Sequence, residues 1–251
     1  MARVAGRRIH VIGIGAGDPE YITVQAIEAL NDADVFFVPE KGEAKSDLVA
    51  VRRRICQRFI REPGYRFVEL PDPPRSAGGE YRRAVSDWHV ARARIWASAI
   101  ATELDCGAVG AFLAWGDPSL YDSTLRILDA VAADIDLSYD VIPGITAVQA
   151  LTARHRIPLT EVGEPVLITT GRQLRVNGLS GSAVVMLDAE CSFRVCPADT
   201  RIWWGAYLGT DDELLVSGRV GEVGERIASL RADARARHGW IMDTYLLRSA
   251  D

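Results

Sequence analysis

A chain of 251 residues, 48% hydrophobic and 25% charged, is long enough for one large α/β domain or two smaller ones. A formal net charge of −5, with Arg52-Arg53-Arg54 as the only dense basic run, argues against a nucleic-acid partner, because phosphate binding needs a clustered positive surface. No apolar run approaches the roughly 18 residues of a membrane span, Met1–Arg8 lacks a signal-peptide core, and Cys56, Cys106, Cys191 and Cys196 fit neither a zinc pair nor a redox motif. The expectation is a cytoplasmic protein with reduced thiols, no membrane contact and no metal.

Strand-like and helical runs alternate through the first half. Strands are predicted at 9–14, 34–38, 66–69, 109–114 and 138–142, and helices at 22–31, 47–60, 80–104 and 121–133. Such alternation specifies a mostly parallel sheet with helices on both faces. The arginines 52–54 fall within the second of these helices and read as a solvated face. The Pro/Gly-rich stretch 70–79 reads as a surface loop. Beyond a small-residue helix at 146–153, strands at 165–169, 183–188, 202–208, 214–217 and 241–247 crowd together, with one further helix at 222–232. That spacing predicts a mixed second sheet. The fold class is therefore α/β, with an N-terminal α/β domain at 1–142 and a C-terminal α/β domain at 143–251.

Residues 115–123, Trp-Gly-Asp-Pro-Ser-Leu-Tyr-Asp-Ser, lead from the buried strand Val109–Ala114 into a helix. In an open α/β sheet that carboxyl edge is where ligands bind. A second strand–turn–helix passage follows at Pro143-Gly-Ile-Thr-Ala147, and together the two suit a nucleotide-sized ligand. Alone, Gly116-Asp117-Pro118 is an ordinary turn with a helix cap. Gly13, Gly15 and Gly17 do not form a dinucleotide fingerprint, because Asp18 stands where the third glycine belongs and would repel a pyrophosphate. These glycines instead let the turn approach a ligand closely.

The order of elements adds weight to those turns. Gly13-Ile-Gly-Ala-Gly-Asp-Pro19, Gly116-Asp-Pro118, Pro143-Gly-Ile-Thr-Ala147 with Pro158-Leu159 behind it, and Asp211-Asp-Glu213 before Gly218 stand in sequence. This set resembles the tetrapyrrole methylase superfamily over nearly the whole chain. The resemblance implies a class III methyltransferase fold, two α/β domains with an active-site cleft between them, and a homodimer. It also implies S-adenosylmethionine as cofactor, S-adenosylhomocysteine as its product, and a tetrapyrrole substrate. The cofactor positions it carries over are Ala16, Trp115, Gly116, Asp117, Leu120, Thr146 and Ala147, with Met186, Leu187, Tyr207 and Leu208 from the second domain. The four late positions read equally well as plain core strand. Trp203, Trp204, Trp240 and Tyr245 add to the dimer expectation, since aromatics are enriched at interfaces.

Within the superfamily, Lys41-Gly-Glu-Ala-Lys-Ser-Asp-Leu48 and the Tyr81…Trp88-His89 segment resemble the branch that methylates precorrin-5 at C-1 and releases acetate in aerobic cobalamin biosynthesis. Lys41, Lys45 and Arg83 suit the carboxylates of such a substrate. Glu43, Asp47 and His89 are the candidates for proton transfer, with Arg82, Arg92 and Arg94 near His89. Ser46 or Asp47 also reads as a helix cap, and His89 as a surface histidine. His10, His155 and His238 have no arguable partner. The alternatives are a methylase of uroporphyrinogen III or another precorrin, which the 41–48 loop argues against, a diphthine-type or ribosomal-RNA methylase, which the acidic charge disfavours, and a non-enzymatic corrinoid carrier.

Overall fold

The apolar run Val109–Ala114 is buried along its whole length because it is the middle strand of a sheet covered on both faces. The structure, a computed structural model, describes residues 6–39, 46–74 and 81–249. The chain divides into two units, one of Met1–Gly15 with Pro19–Ile145 and one of Ala16–Asp18 with Thr146–Asp251.

In the first unit β1 (Arg7–Gly13), β2 (Val35–Pro39), β3 (Arg66–Leu70), β4 (Val109–Ala114) and β5 (Leu137–Ile142) form a wholly parallel sheet in the order β3-β2-β4-β1-β5. Alternate side chains serve opposite faces. Ile9 and Val11 pack with Trp96, Ile100, Ile127 and Val131 of α3 (Tyr81–Glu103) and α4 (Thr124–Asp134). Ile12 and Ile14 pack instead with Leu30 and Ile55 of α1 (Val24–Asp32) and α2 (Ser46–Phe59). The chain leaves β1 through α1 on one face and leaves the adjacent β4 through α4 on the other. Neighbouring strands that part in this way open a crevice at their carboxyl ends.

Local chemistry sets the helix starts. Thr23 caps α1, its hydroxyl accepting from the Ala26 amide at 3.1 Å. The helix expected from 121 begins at 124, since Tyr121 is left-handed (φ +54°) and the Asp122 carboxylate accepts from the Thr124 amide at 2.6 Å. The arginine run is only partly solvated: Arg53 and Arg54 are exposed, but Arg52 is buried and its Nε donates to the Leu113 carbonyl at 3.0 Å. Burial lowers the Arg52 pKa, and the charge of Asp122 opposes that shift.

The second unit carries β6 (Val166–Thr170), β7 (Ser182–Met186), β8 (Arg201–Ala206), β9 (Leu214–Arg219) and β10 (Asp243–Arg248) in the order β6-β7-β10-β8-β9. Only β6 and β7 pair in parallel, so the sheet is mixed. Its helices are α5 (Ala147–His155), α6 (Gly171–Asn177) and α7 (Val220–His238). The sequence gives no sign of α6, a single short element capped by Thr170 and ended by Gly178. Helix α7 runs well past the expected residue 232, to a left-handed Gly239. Trp204 and Tyr245 are buried in this unit's core with Trp240 half-buried against it, and Trp203 is buried beneath the Arg201 and Arg248 guanidinium groups, so the late aromatics lend no support to an interface.

Candidate functional site

At the crevice between β1 and β4, glycine backbones meet without side chains between them. Gly15 and Gly116 exchange amide–carbonyl hydrogen bonds at 3.3 and 2.8 Å. A β-carbon on Gly144 would lie 2.0 Å from the Gly116 carbonyl oxygen, and one on Gly13 would lie 2.6 Å from the Gly144 nitrogen. The turns after β1, β4 and β5 are thus packed backbone to backbone, an approach that a β-carbon would block. Asp117 ties them together. One of its oxygens accepts from the Gly144 amide at 2.9 Å, and the other accepts from the Ser119 amide at 2.8 Å and from the Ser119 hydroxyl. Burial opposes ionisation of Asp117, but those donors outweigh it and hold its carboxyl below the usual range. Both oxygens being engaged, Asp117 orders the turn. Trp115 and Leu120 lie half-buried beside it, and Tyr121 is exposed.

In the second unit the expected strand runs 183–188 and 202–208 stop early, at Met186 and Ala206. The cause is backbone geometry: Leu187 and Tyr207 are left-handed, with φ +52° and +50°. Both turns leave the same edge of the sheet, since β7 and β8 run antiparallel to β10. Leu187 is 64% exposed and Met186 half-exposed, whereas the Tyr207 and Leu208 side chains are buried. The Tyr207 hydroxyl donates to the Trp240 carbonyl at 2.6 Å and its amide to the Met242 carbonyl at 3.0 Å. Its carbonyl accepts from the Thr210 amide and hydroxyl at 3.0 and 2.8 Å. Glu213 accepts from the Gly209 amide at 2.9 Å and from Arg154 Nε at 2.6 Å, pinning the turn to α5.

The Ala16–Asp18 segment packs with this unit. Ala16 is buried, and a β-carbon on Gly17 would fall 2.3 Å from the Leu208 carbonyl oxygen. Thr146 caps α5, its hydroxyl accepting from the Val148 amide at 3.0 Å, with Gln149 completing a capping box and Ala147 following. The structure therefore gathers Gly116 and Asp117 with the glycine turns of the first unit, and Ala16 with Leu208 in the second.

Lys41, Glu43 and Lys45 lie outside the described residues, as do the side chains of Asp47 in the first turn of α2 and Arg83 in the first turn of α3. His89 is half-buried on α3, its ring centroid 5.4 Å from that of Trp88. Arg92 does not face a substrate. It is buried, with Nε 2.8 Å from Asp72 and its guanidinium 4.1 Å over the Trp88 ring. His10, for which no partner was arguable, hydrogen-bonds Asp32 through Nε2 at 2.8 Å, and His155 hydrogen-bonds the Trp204 carbonyl at 3.0 Å.

Sequence reasoning missed the polar knot below Leu187. Asp188, Ser192, Arg231, Asp243 and Tyr245 are all buried there. The only signal was an aspartate closing an apolar strand run.

Residues 8–224 match the family described as Tetrapyrrole (Corrin/Porphyrin) Methylases. The deacetylating precorrin-6A synthase of a Sinorhizobium species is 53% identical over 254 residues, covering 99% of this chain and 97% of that protein. A crystal structure of a cobalamin synthesis related protein, CobF, from Corynebacterium diphtheriae superposes with a TM-score of 0.86 at 42% identity, covering 98% of this chain and all of that one. The uroporphyrin-III C-methyl transferase of Thermus thermophilus, solved with S-adenosyl homocysteine, shares the fold at 19% identity and a TM-score of 0.60, covering 96% of this chain and 97% of that one.

Proposed function

Because the chain belongs to the tetrapyrrole methylase family, whose methyl donor is S-adenosylmethionine, we propose that it methylates precorrin-5 at C-1 and releases acetate, giving precorrin-6A. The observation that carries this reading is 53% identity to a deacetylating precorrin-6A synthase over nearly the full length of both chains. S-adenosylmethionine brings a methyl group already activated on a sulfonium, so alignment with the nucleophilic carbon is most of what transfer needs. The turns at Gly13, Gly116 and Gly144, free of side chains at the carboxyl ends of the parallel strands, are the place in the first unit that best suits such a ligand.

In this reading Ala16, Trp115, Gly116, Leu120, Thr146 and Ala147 contact the cofactor, and Met186, Leu187, Tyr207 and Leu208 contact it largely through backbone. Asp117 acts by holding the turn. Lys41, Lys45 and Arg83 bind substrate carboxylates. Release of acetate needs a water and a base, for which Glu43, Asp47 and His89 are the candidates. The enzyme works in the cytoplasm as a homodimer. Leu167 and Ile168, 58% and 40% exposed on the edge strand β6, support an apolar contact between copies.

Incubation with S-adenosylmethionine and precorrin-5 should yield a singly methylated product and acetate in equal amounts. Methylation without acetate would overturn the deacetylating assignment and leave a different precorrin methylase. Lys41→Ala and Lys45→Ala should raise the KM for the tetrapyrrole while cofactor affinity stays put.

A further inference from the structure

Leu187 combines two features that seldom occur together. Its backbone is left-handed at φ +52°, a conformation the β-carbon disfavours, and its side chain is 64% exposed, so no buried contact compensates. Whatever holds this conformation must act through the neighbours.

Asp188 is that neighbour, and it is fixed at both ends. Its Oδ1 accepts from the Glu190 amide at 3.1 Å and the Ser192 hydroxyl at 2.7 Å. Its Oδ2 accepts from the Ser192 amide at 2.5 Å and the Tyr245 hydroxyl at 2.7 Å. The Asp188 carbonyl accepts from Arg231 Nη2, while Arg231 Nε binds Asp243 at 3.0 Å. Asp243 also accepts from the Trp204 indole at 2.9 Å, which anchors the knot in β8. Space for the carboxylate comes from Gly171, where a β-carbon would stand 2.2 Å from Oδ1. Helices α6 and α7 and strand β10 thus converge on one residue, and the peptide between Leu187 and Asp188 has little freedom left.

A knot that served only the core could bond to itself without straining the exposed residue beside it. We propose that Asp188 is a positioning residue, held by Ser192, Tyr245 and Arg231, that locks the Met186–Leu187 turn in the left-handed form in which its backbone meets S-adenosylmethionine. This rests on the reading of that turn as a cofactor contact.

The test uses S-adenosylhomocysteine as probe and calorimetry on the full chain, with Asp188→Asn, Leu187→Gly and the double variant. Glycine adopts a left-handed φ without strain, so it removes the need for the lock. Asp188→Asn should weaken binding by about tenfold or more in the parent and by less than about threefold in the Leu187→Gly background, a coupling that a purely structural role would not produce. Equal losses in both backgrounds, or no loss in the parent, overturn the proposal while the cofactor site stands. A parent that fails to bind the probe instead removes the cofactor reading itself. Should Asp188→Asn not fold, Tyr245→Phe deletes a single donor, and the same coupling at about threefold in the parent against no loss beside Leu187→Gly decides the matter.

Discussion

Glycine makes the close turns of the first unit, whereas the second unit makes its comparable turns with leucine and tyrosine held left-handed. At Gly13, Gly116 and Gly144 the chain simply has no β-carbon to place, and the turns pack directly. At Leu187 and Tyr207 the same kind of bend carries a conformational penalty of roughly 1–2 kcal/mol per residue, which surrounding structure must offset. Two carboxylates, buried Asp188 and half-buried Glu213, do so by accepting nearby backbone amides, with Arg231 on the Asp188 carbonyl and Arg154 on the Glu213 carboxylate. The first unit's turns should therefore fail by steric insertion, and the second unit's by loss of charge pairing.

The largest expected effect tests the second half of that statement. Arg231→Met would leave Asp243, buried and accepting from Trp204, without its cation, and breaking such a pair costs about 3–5 kcal/mol. Urea unfolding should show the loss in midpoint. A second substitution, Asp243→Asn, should recover part of it by removing the stranded charge. No recovery would mean that Arg231 matters for its packing and not for its charge.

Gly144→Ala tests the first half. Its new methyl would sit 2.0 Å from the Gly116 carbonyl and 2.8 Å from the Gly13 backbone, so backbone must move. Overpacking of this kind costs about 1–3 kcal/mol, and S-adenosylhomocysteine affinity should fall by about tenfold or more. Unchanged affinity in a folded variant would show that the glycine cradle is not the ligand surface.

Asp117→Asn is a gentler break in the same place. The asparagine amide would turn a donor toward either Gly144 or Ser119, where donors already point, at a cost of about 1–2 kcal/mol. Calorimetry should show weaker cofactor binding without loss of fold.

The same contrast decides what could be read from the amino-acid order. Gly116-Asp117-Pro118 and Pro143-Gly144 announce a turn because only glycine permits the approach, so the first unit's strands and these glycine turns were legible almost residue by residue. Leu187 and Tyr207 announce nothing. Both sit in apolar runs, and the strands were expected to continue through them. Their conformation is imposed by Arg231, Tyr245 and Arg154, which are distant in sequence and look like ordinary helix and strand residues. Helix α6 escaped notice because seven residues, the first of them Gly171, carry too little periodicity to register. Arg52 misled for a related reason: a basic helix run looks solvated until its packing against Leu113 is known.

The smallest predicted effect separates the units by pH. Burial in the second unit pushes the His155 imidazole down from 6.5, with the Trp204 carbonyl and the Glu213 charge partly opposing. As pH falls through 6.5 the unfolded chain takes up this proton and the folded chain does not, so stability declines until the folded value is reached. Asp117 and Asp188 act in the same sense at lower pH. Burial raises both carboxyls, but their donors, led by the Ser119 hydroxyl for one and the Ser192 and Tyr245 hydroxyls for the other, bring both below 3.8. Their contribution is present above 3.8 and is lost as pH falls through the depressed folded values. Two declines follow. The first comes from His155 in the second unit, so amide protection factors, corrected for the intrinsic exchange rate at each pH, should fall in β8 and not in β4 as pH drops from about 7 to about 5.5. His155→Gln keeps a donor for the Trp204 carbonyl but cannot titrate, and should flatten that first decline while leaving the second in place. If β4 loses protection in step with β8, the units do not open independently, and the contrast between them is one of construction without a difference in stability.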